Sequence, residues 1–240
     1  MTPPVELSLV VPVYNEEANL PVLFGEIRAA VEPLRRPWEV IFVDDGSTDA
    51  SLAVIKSLAA GHDSVRYLSF AANRGQSAAF KAGFEAARGG IIITMDADLQ
   101  NDPADIPRLL AAYGAGADMV CGWRAKRKDS FMKRIASKVG NAVRTAMTGR
   151  TVTDTGCSLK VMRADMARRL PMFGGMHRFL PTLMQLEGAR IVEMKVNHRP
   201  RRHGVSKYGT LDRAIAGGYD LIAVRWMRTR HIEYTIKDQS

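Results

Sequence analysis

The chain reads as an α/β protein, a single doubly wound domain built on a mostly parallel sheet. Three observations predict this. Short β-branched runs alternate with amphipathic segments through the first half, the pattern of strands joined by crossover helices. Polar clusters follow strand after strand, where the carboxyl edge of such a sheet binds ligands. From Ile91 to Asp102 a buried-strand run ends abruptly in Asp96 and Asp98, two carboxylates at i, i+2 that could hold a hard cation at that edge.

Taken in order, Leu7 to Val13, Val40 to Val43, Val65 to Phe70, Ile91 to Met95 and Met119 to Cys121 are the expected strands of the first half. Glu17 to Val31, Asp49 to Ala60, Gln76 to Arg88 and Ala104 to Tyr113 carry helical spacing, with Asn15 and Asp49 as amino-terminal caps. Beyond Gly122 a basic helix (Ser130 to Met147) precedes a strand around Ser158 to Met162 and an apolar helix from Met176 to Glu187. A strand over Ile191 to Val196, a glycine-containing basic loop from Arg199 to Gly209 and a last helix over Leu211 to Val224 complete the pattern. No internal repeat or low-complexity tract interrupts it.

At 240 residues, 46% hydrophobic and 25% charged, the chain has the composition of an ordinary globular protein rather than a disordered or membrane-integral one. Cys121 and Cys157 are too few for a disulfide framework and lack metal-ligand spacing, which points to a reducing compartment. The start of the chain lacks the pattern of an export signal, and no apolar window reaches the roughly 18 residues of a membrane-spanning helix. A net charge of +9 calls for an anionic partner: nucleic acid, anionic lipid or a phosphorylated substrate. Much of the excess lies between Gly122 and Arg150, where Arg124, Lys126, Arg127, Lys128, Lys133, Arg134, Lys138, Arg144 and Arg150 face a single acid, Asp129.

Four polar segments fall at strand ends: Pro12-Val13-Tyr14-Asn15-Glu16-Glu17, Val43-Asp44-Asp45-Gly46-Ser47-Thr48-Asp49, Asn73-Arg74-Gly75-Gln76 and Asp96-Ala97-Asp98-Leu99-Gln100. Singly each is also an ordinary turn or helix start. In this order and spacing they resemble the family 2 inverting glycosyltransferases, whose GT-A-like fold binds a nucleotide sugar. The resemblance implies that Asp98, Asp96 and Gln100 hold Mg²⁺ or Mn²⁺ on the donor diphosphate. It places Pro12, Tyr14, Glu16, Val43, Asp45 and Ala97 against the nucleoside, and leaves Asp44 to hold its loop.

Later motifs narrow the resemblance. Asp154-Thr-Gly-Cys-Ser-Leu-Lys, Arg178-Phe-Leu-Pro and Arg201-Arg-His-Gly-Val-Ser-Lys207 look like those of the polyprenyl-phosphate glycosyltransferases, the dolichol-phosphate mannosyltransferases and undecaprenyl-phosphate sugar transferases. The likeness runs from Leu7 to Val224. It implies a catalytic domain over residues 1–225, with a nucleotide-sugar-binding half to 122, an acceptor-binding and membrane-facing half from 123, and a tail over 226–240. In that family Arg124, Arg201 and Lys207 match positions that contact donor or acceptor phosphate, and Arg134 and Ser137 are expected at the lipid phosphate. Asp154 matches a position proposed as catalytic; it either acts directly or orients a basic residue or the sugar hydroxyls. The glycine-containing loop would fold over the donor as a lid.

The expected reaction is therefore metal-dependent transfer of a sugar from a nucleoside diphosphate, UDP favoured over GDP, to a polyprenyl monophosphate at the cytoplasmic membrane face. Phe131, Ile135, Val139, Val143 and Met147 share one face of the basic helix, which suits the bilayer interface. Met172, Phe173, Met176, Phe179, Leu180, Leu183 and Met184 form a second apolar set that would either line a lipid entry or pack in the core. Many bacterial relatives carry carboxyl-terminal membrane helices that this sequence lacks. That implies a peripheral enzyme, a membrane-anchoring partner or homo-oligomer, or a shortened chain. The competing readings are a hydroxyl acceptor, which would need a general base, and a basic nucleic-acid-binding module, which leaves Asp96 and Asp98 unexplained.

Overall fold

The structure, a computed structural model, describes residues 4–125, 145–147, 149, 152–200, 210–232 and 238. Seven strands form one sheet: β1 (Leu7–Val13), β2 (Trp38–Asp44), β3 (Val65–Ser69), β4 (Ile91–Thr94), β5 (Met119–Trp123), β6 (Lys160–Arg163) and β7 (Ile191–Lys195). Their order is β3-β2-β1-β4-β6-β5-β7. The first four are mutually parallel, with Val13 level with Asp44 and Val10 level with Thr94. β6 runs antiparallel between β4 and β5, and β7 returns parallel to β5. Strand order reverses between β1 and β4, which makes the carboxyl ends of those two strands the expected ligand crevice.

The helices are α1 (Leu20–Val31), α2 (Ser51–Gly61), α3 (Gln76–Ala86), α4 (Ile106–Gly114), α5 (Ala164–Arg169), α6 (Leu180–Leu186) and α7 (Thr210–Thr229). They divide between the two faces of the sheet. Leu7, Leu9, Val11 and Val13 pack under Leu23 and Ile27 of α1, Ile55 of α2 and Leu109 of α4. Val10, Ile41 and Val43 point the other way, beneath Phe80 and Phe84 of α3, Met166 of α5, Leu183 of α6 and Val224 of α7. Strands buried on both faces read as continuous apolar runs, which is why β1, β2 and β4 lack polar alternation. Each fully buried aliphatic side chain contributes about 1.5–3 kcal/mol of burial free energy. The approach of α3 to β1 is set by Gly83, where a Cβ would collide with Cγ1 of Val10.

Several expectations change. Asn15 is not a helix cap: α1 begins at Leu20 behind Asn19, and Asn15 sits at φ 55° and bonds the next loop instead. Asp49 stands one residue before the cap position Ala50, yet its carboxylate still accepts from Ser51 N–H (2.9 Å). The short helix α5 was not foreseen, and α7 runs on to Thr229, past the expected end at Val224. Met172, Met176, Phe179, Leu180, Leu183 and Met184 do not line a lipid entry. They belong to the buried core under α3, and only Phe173, 64% exposed, reaches solvent. Four positions expected at the acceptor or donor phosphates, Arg134, Ser137, Arg201 and Lys207, lie outside the described residues, as does all but the last turn of the basic helix. No described helix is long and apolar enough to cross a membrane.

Candidate functional site

The loops after β1, β2 and β3 are tied to one another by hydrogen bonds between side chains and backbone. Asn15 N–H donates to Ser47 Oγ (3.0 Å), Thr48 N–H to Asn15 Oδ1 (2.7 Å) and Glu16 N–H to Ser51 Oγ (2.8 Å). Asp44 accepts from Ser47 N–H and Ser69 Oγ and so holds its loop, as expected. Asp45 does more than expected: its carboxylate accepts from Asn73 Nδ2 (3.0 Å), Arg74 N–H (2.6 Å) and Gly75 N–H (2.8 Å). Burial pushes the Asp45 carboxyl above its ordinary range, against those backbone donors, which pull it down. Gly46 has φ +69°, and a Cβ there would lie 2.7 Å from Ala72 C and Asn73 N, so only glycine fits. Pro12, Tyr14 and Glu16 are half-buried at the edge of β1, whereas the side chains of Val43 and Ala97 are in the core. Those two can offer a ligand backbone atoms only.

Past β4 the chain turns through Asp96 to Asn101. Gln76, the first residue of α3, donates to Asp96 Oδ1 (2.5 Å), and Gln100 N–H donates to Asp98 Oδ1 (3.1 Å). Leu99 adopts φ 61°, a conformation rare for a leucine that persists only where surroundings over-determine it. They do so here. Asn101 Oδ1 accepts from Asp96 N–H (3.3 Å) and Ser158 Oγ (2.6 Å), while Arg199, paired with Glu26, donates to Asn101 O (2.8 Å). Burial pushes the Asp96 carboxyl up, and the like charge of Asp98 adds to it. Two oxygen-rich groups held at this spacing suit a hard divalent cation, with Gln100 half-buried beside them.

Arg124, just beyond β5, meets Asp154 in a forked ion pair, Nε to Oδ2 at 2.8 Å and Nη2 to Oδ1 at 2.9 Å, with side chains 14% and 11% exposed. Burial opposes the Arg124 charge, but Asp154 outweighs it and raises the guanidinium pKa. The fork matches one of the roles expected of Asp154, orienting a basic residue.

A cavity of about 500 Å³ opens on the α3 and α6 side of Asp96. Sequence reasoning gave no role to four side chains that line it, Ser158, Lys160, His177 and Arg178. Ser158 and Lys160 fall in the Asp154-Thr-Gly-Cys-Ser-Leu-Lys motif and Arg178 opens Arg178-Phe-Leu-Pro, whereas His177 carries no signal in the sequence. His177 Nδ1 lies 2.8 Å from Ser77 Oγ, and burial, with Arg178 and Lys160 adding to it, pushes the imidazole down to about 3.

Known proteins match this architecture. The chain is 42% identical over 224 residues to the dodecaprenyl-phosphate galacturonate synthase of Rhizobium johnstonii, covering 91% of this chain and 66% of that protein. It is 41% identical over 218 residues to the undecaprenyl-phosphate 4-deoxy-4-formamido-L-arabinose transferase of Aeromonas hydrophila, covering 90% of this chain and again 66% of the relative. The chain thus spans slightly less than two thirds of the length of these curated relatives. The fold is that of glucosyl-3-phosphoglycerate synthase from Mycobacterium tuberculosis, solved with Mn²⁺, uridine diphosphate and phosphoglyceric acid (TM-score 0.68, 22% identity, 95% of this chain and 80% of that one). The family model described as glycosyl transferase family 2 matches residues 8–170, across β1 to α5 and both carboxylates of the β4 turn, and the chain belongs to that family.

Proposed function

We propose that the chain transfers a sugar from a nucleoside diphosphate, with uridine as the base, to a polyprenyl monophosphate, inverting the anomeric carbon at the cytoplasmic face of a membrane. The observation that carries this is the convergence of Asp96 and Asp98 with the β1 and β2 loops where the strand order reverses. The two curated relatives are named for polyprenyl-phosphate acceptors but for different sugars, so the lipid phosphate is what they have in common.

Asp98, Asp96 and Gln100 would hold Mg²⁺ or Mn²⁺. No group of three or more His, Cys, Asp or Glu gathers among the described residues. Mg²⁺ commonly binds through one or two carboxylates and fills its shell with water and substrate phosphate. When bound, the ion supplies charge neutralisation of the departing diphosphate. The chain's own residues do the rest. Gln76 and Asn101 fix the Asp96 turn, the β1 and β2 loops receive the nucleoside beside Tyr14 and Glu16, and Asp154 aims Arg124 toward the phosphates.

A lipid phosphate is already anionic at neutral pH and needs no general base. Asp154, engaged with Arg124, and His177, neutral and poorly basic, are unsuited to that role, which disfavours a hydroxyl acceptor. The +9 charge then serves phosphates and an anionic lipid surface rather than nucleic acid. On α7, Tyr219, Ile222 and Trp226 are 74%, 60% and 64% exposed along one stripe, flanked by exposed Arg225 and Arg228. Such a face would rest in a membrane interface, each arginine contributing roughly 1 kcal/mol. The test is incubation with undecaprenyl phosphate, Mg²⁺ and a panel of nucleotide sugars. A solvent-extractable glycolipid is expected, and its absence across the panel, with folded protein, removes the reading.

A further inference from the structure

His177 lines the cavity beside Asp96, half-buried, just ahead of the Arg178-Phe-Leu-Pro motif and part of no other. Ser77, the second residue of α3, accepts the His177 backbone N–H at Oγ (3.1 Å), and the same oxygen lies 2.8 Å from His177 Nδ1. Among the described residues Nδ1 is the one acceptor bonded to the Ser77 hydroxyl, so the hydroxyl donates to Nδ1 and the ring proton resides on Nε2. Nε2 makes no hydrogen bond among the described residues and is not one of their sealed polar atoms, so it opens to the cavity.

The backbone holds the ring in place. His177 sits on the single turn Met176–Phe179, entered through Gly175 at φ 79°, with Met176 and Phe179 in the core. Asp220 of α7 packs so close to Gly175 that a Cβ there would overlap its Oδ2. Gln76 bonds Asp96 and Ser77 bonds His177, so two consecutive residues at the start of α3 tie the metal-side carboxylate and the imidazole to one rigid element. None of Pro12, Tyr14, Glu16, Val43 and Asp45 lines the cavity. With the nucleoside at the β1 and β2 loops and the diphosphate at Asp96, the part of the donor on the cavity side is the sugar. A volume of about 500 Å³ accommodates a pyranose ring.

We propose that His177 is a specificity-determining residue whose Nε2–H donates to a hydroxyl oxygen of the donor sugar, with Ser77 as the positioning residue that fixes its tautomer. A phosphate at Nε2 would favour a protonated ring, which burial and the neighbouring Arg178 and Lys160 oppose; a hydroxyl makes no such demand. The neutral ring offers one N–H in one direction. A sugar whose hydroxyl points elsewhere leaves that donor unmet, and discrimination follows from the missing bond. The inference rests on the glycosyl-transfer reading and adds a sugar-reading residue to it.

The test compares His177→Asn, whose side-chain carbonyl can still accept from Ser77 but which has no donor at the Nε2 position, with His177→Gln, whose amide reaches that position. Calorimetry with Mg²⁺ gives the affinities for UDP and for the UDP-linked hexose, uronate or pentose that wild type transfers fastest. The ratio of sugar-nucleotide to UDP affinity should fall about 10-fold in His177→Asn with UDP unchanged, and His177→Gln should restore most of it. Because both ligands are measured on one preparation, partial loss of folded protein cancels. Ring ¹⁵N spectra of wild type should show a protonated Nε2 at neutral pH that moves with the sugar nucleotide and not with UDP, the signal being the one lost in His177→Gln. A proton on Nδ1, or an unchanged ratio in His177→Asn, overturns the inference and leaves the parent reading standing. Equal weakening of UDP and sugar nucleotide would assign the ring to the diphosphate, and an unchanged ratio with a raised KM for undecaprenyl phosphate would assign it to the lipid phosphate; either overturns the inference as well. If no member of the panel is transferred, the parent reading falls and the inference with it.

Discussion

The two sides of the β1–β4 crevice solve the same problem, holding charge at a sheet edge, by opposite means. On the β1–β3 side each carboxylate is answered locally: Asp44 by Ser47 N–H and Ser69, Asp45 by the backbone of Arg74 and Gly75, Asp49 by Ser51 N–H. On the β4–β6–β5 side, charges meet charges: Asp96 beside Asp98 and within Coulombic reach of Lys160, and Arg124 forked onto Asp154. The first arrangement builds a rigid cradle whose groups are already satisfied. The second concentrates charge at the crevice, like beside like at Asp96 and Asp98 and opposite against opposite at Arg124 and Asp154. Structural loops and reactive edges are thus distinguished by where their hydrogen bonds end.

The comparison can be broken at its most reactive point. Asp98→Asn removes a charge from the metal-holding pair and is expected to lower the transfer rate by about 10³-fold with little loss of stability, read by steady-state turnover and a melting curve. Next in size is the Arg124–Asp154 pair. Removing either partner leaves a buried charge alone and should cost about 3 kcal/mol in denaturant unfolding, whereas the double variant should cost less than the sum of the two. Asp154→Asn that abolished turnover with full stability and unchanged phosphate affinity would instead make Asp154 a base.

The spacing of motifs made the cradle side readable in advance, because each of its segments marks a turn by residue type, even though the hydrogen bonds that tie them join segments 25 to 35 residues apart. Asp-Asp-Gly-Ser-Thr-Asp and Asn-Arg-Gly-Gln mark strand ends by residue type alone, and the parallel alternation of β1 to β4 follows from apolar runs. The reactive side was less readable for a topological reason. β6 inserts antiparallel between β4 and β5, bringing Ser158 and Lys160 beside residues some sixty positions earlier, as in the Ser158–Asn101 hydrogen bond (separation 57). His177 reaches Ser77 across a separation of 100. Asp45, which the family resemblance implies at the nucleoside, also directs its oxygens to the loop after β3, a contact no local pattern announces. The apolar set from Met172 to Met184 was open to two readings, since a helical stripe cannot by itself say whether lipid or core covers it.

A smaller effect sharpens the contrast through pH. The His177 imidazole is held at about 3 against an ordinary 6.5, so the unfolded chain takes up a proton first as pH falls. Its contribution is therefore intact above about pH 6.5 and lost progressively toward pH 3, reaching about 2 kcal/mol at pH 5. His177→Gln should flatten that part of the stability–pH curve relative to wild type. Smallest in its effect on turnover is Gly46→Ala on the cradle side, where a left-handed backbone and a backbone clash with Ala72 and Asn73 should together cost about 2–4 kcal/mol of stability and weaken nucleotide binding, leaving the metal requirement in place.

The central claim, that the crevice binds a nucleoside diphosphate through a cation held by Asp98 and Asp96, is tested most directly by calorimetric titration of UDP with and without Mg²⁺ in wild type and Asp98→Asn. Binding that requires the ion and is lost in the variant is the predicted result. UDP binding of equal strength without metal, or undiminished in Asp98→Asn, would contradict it.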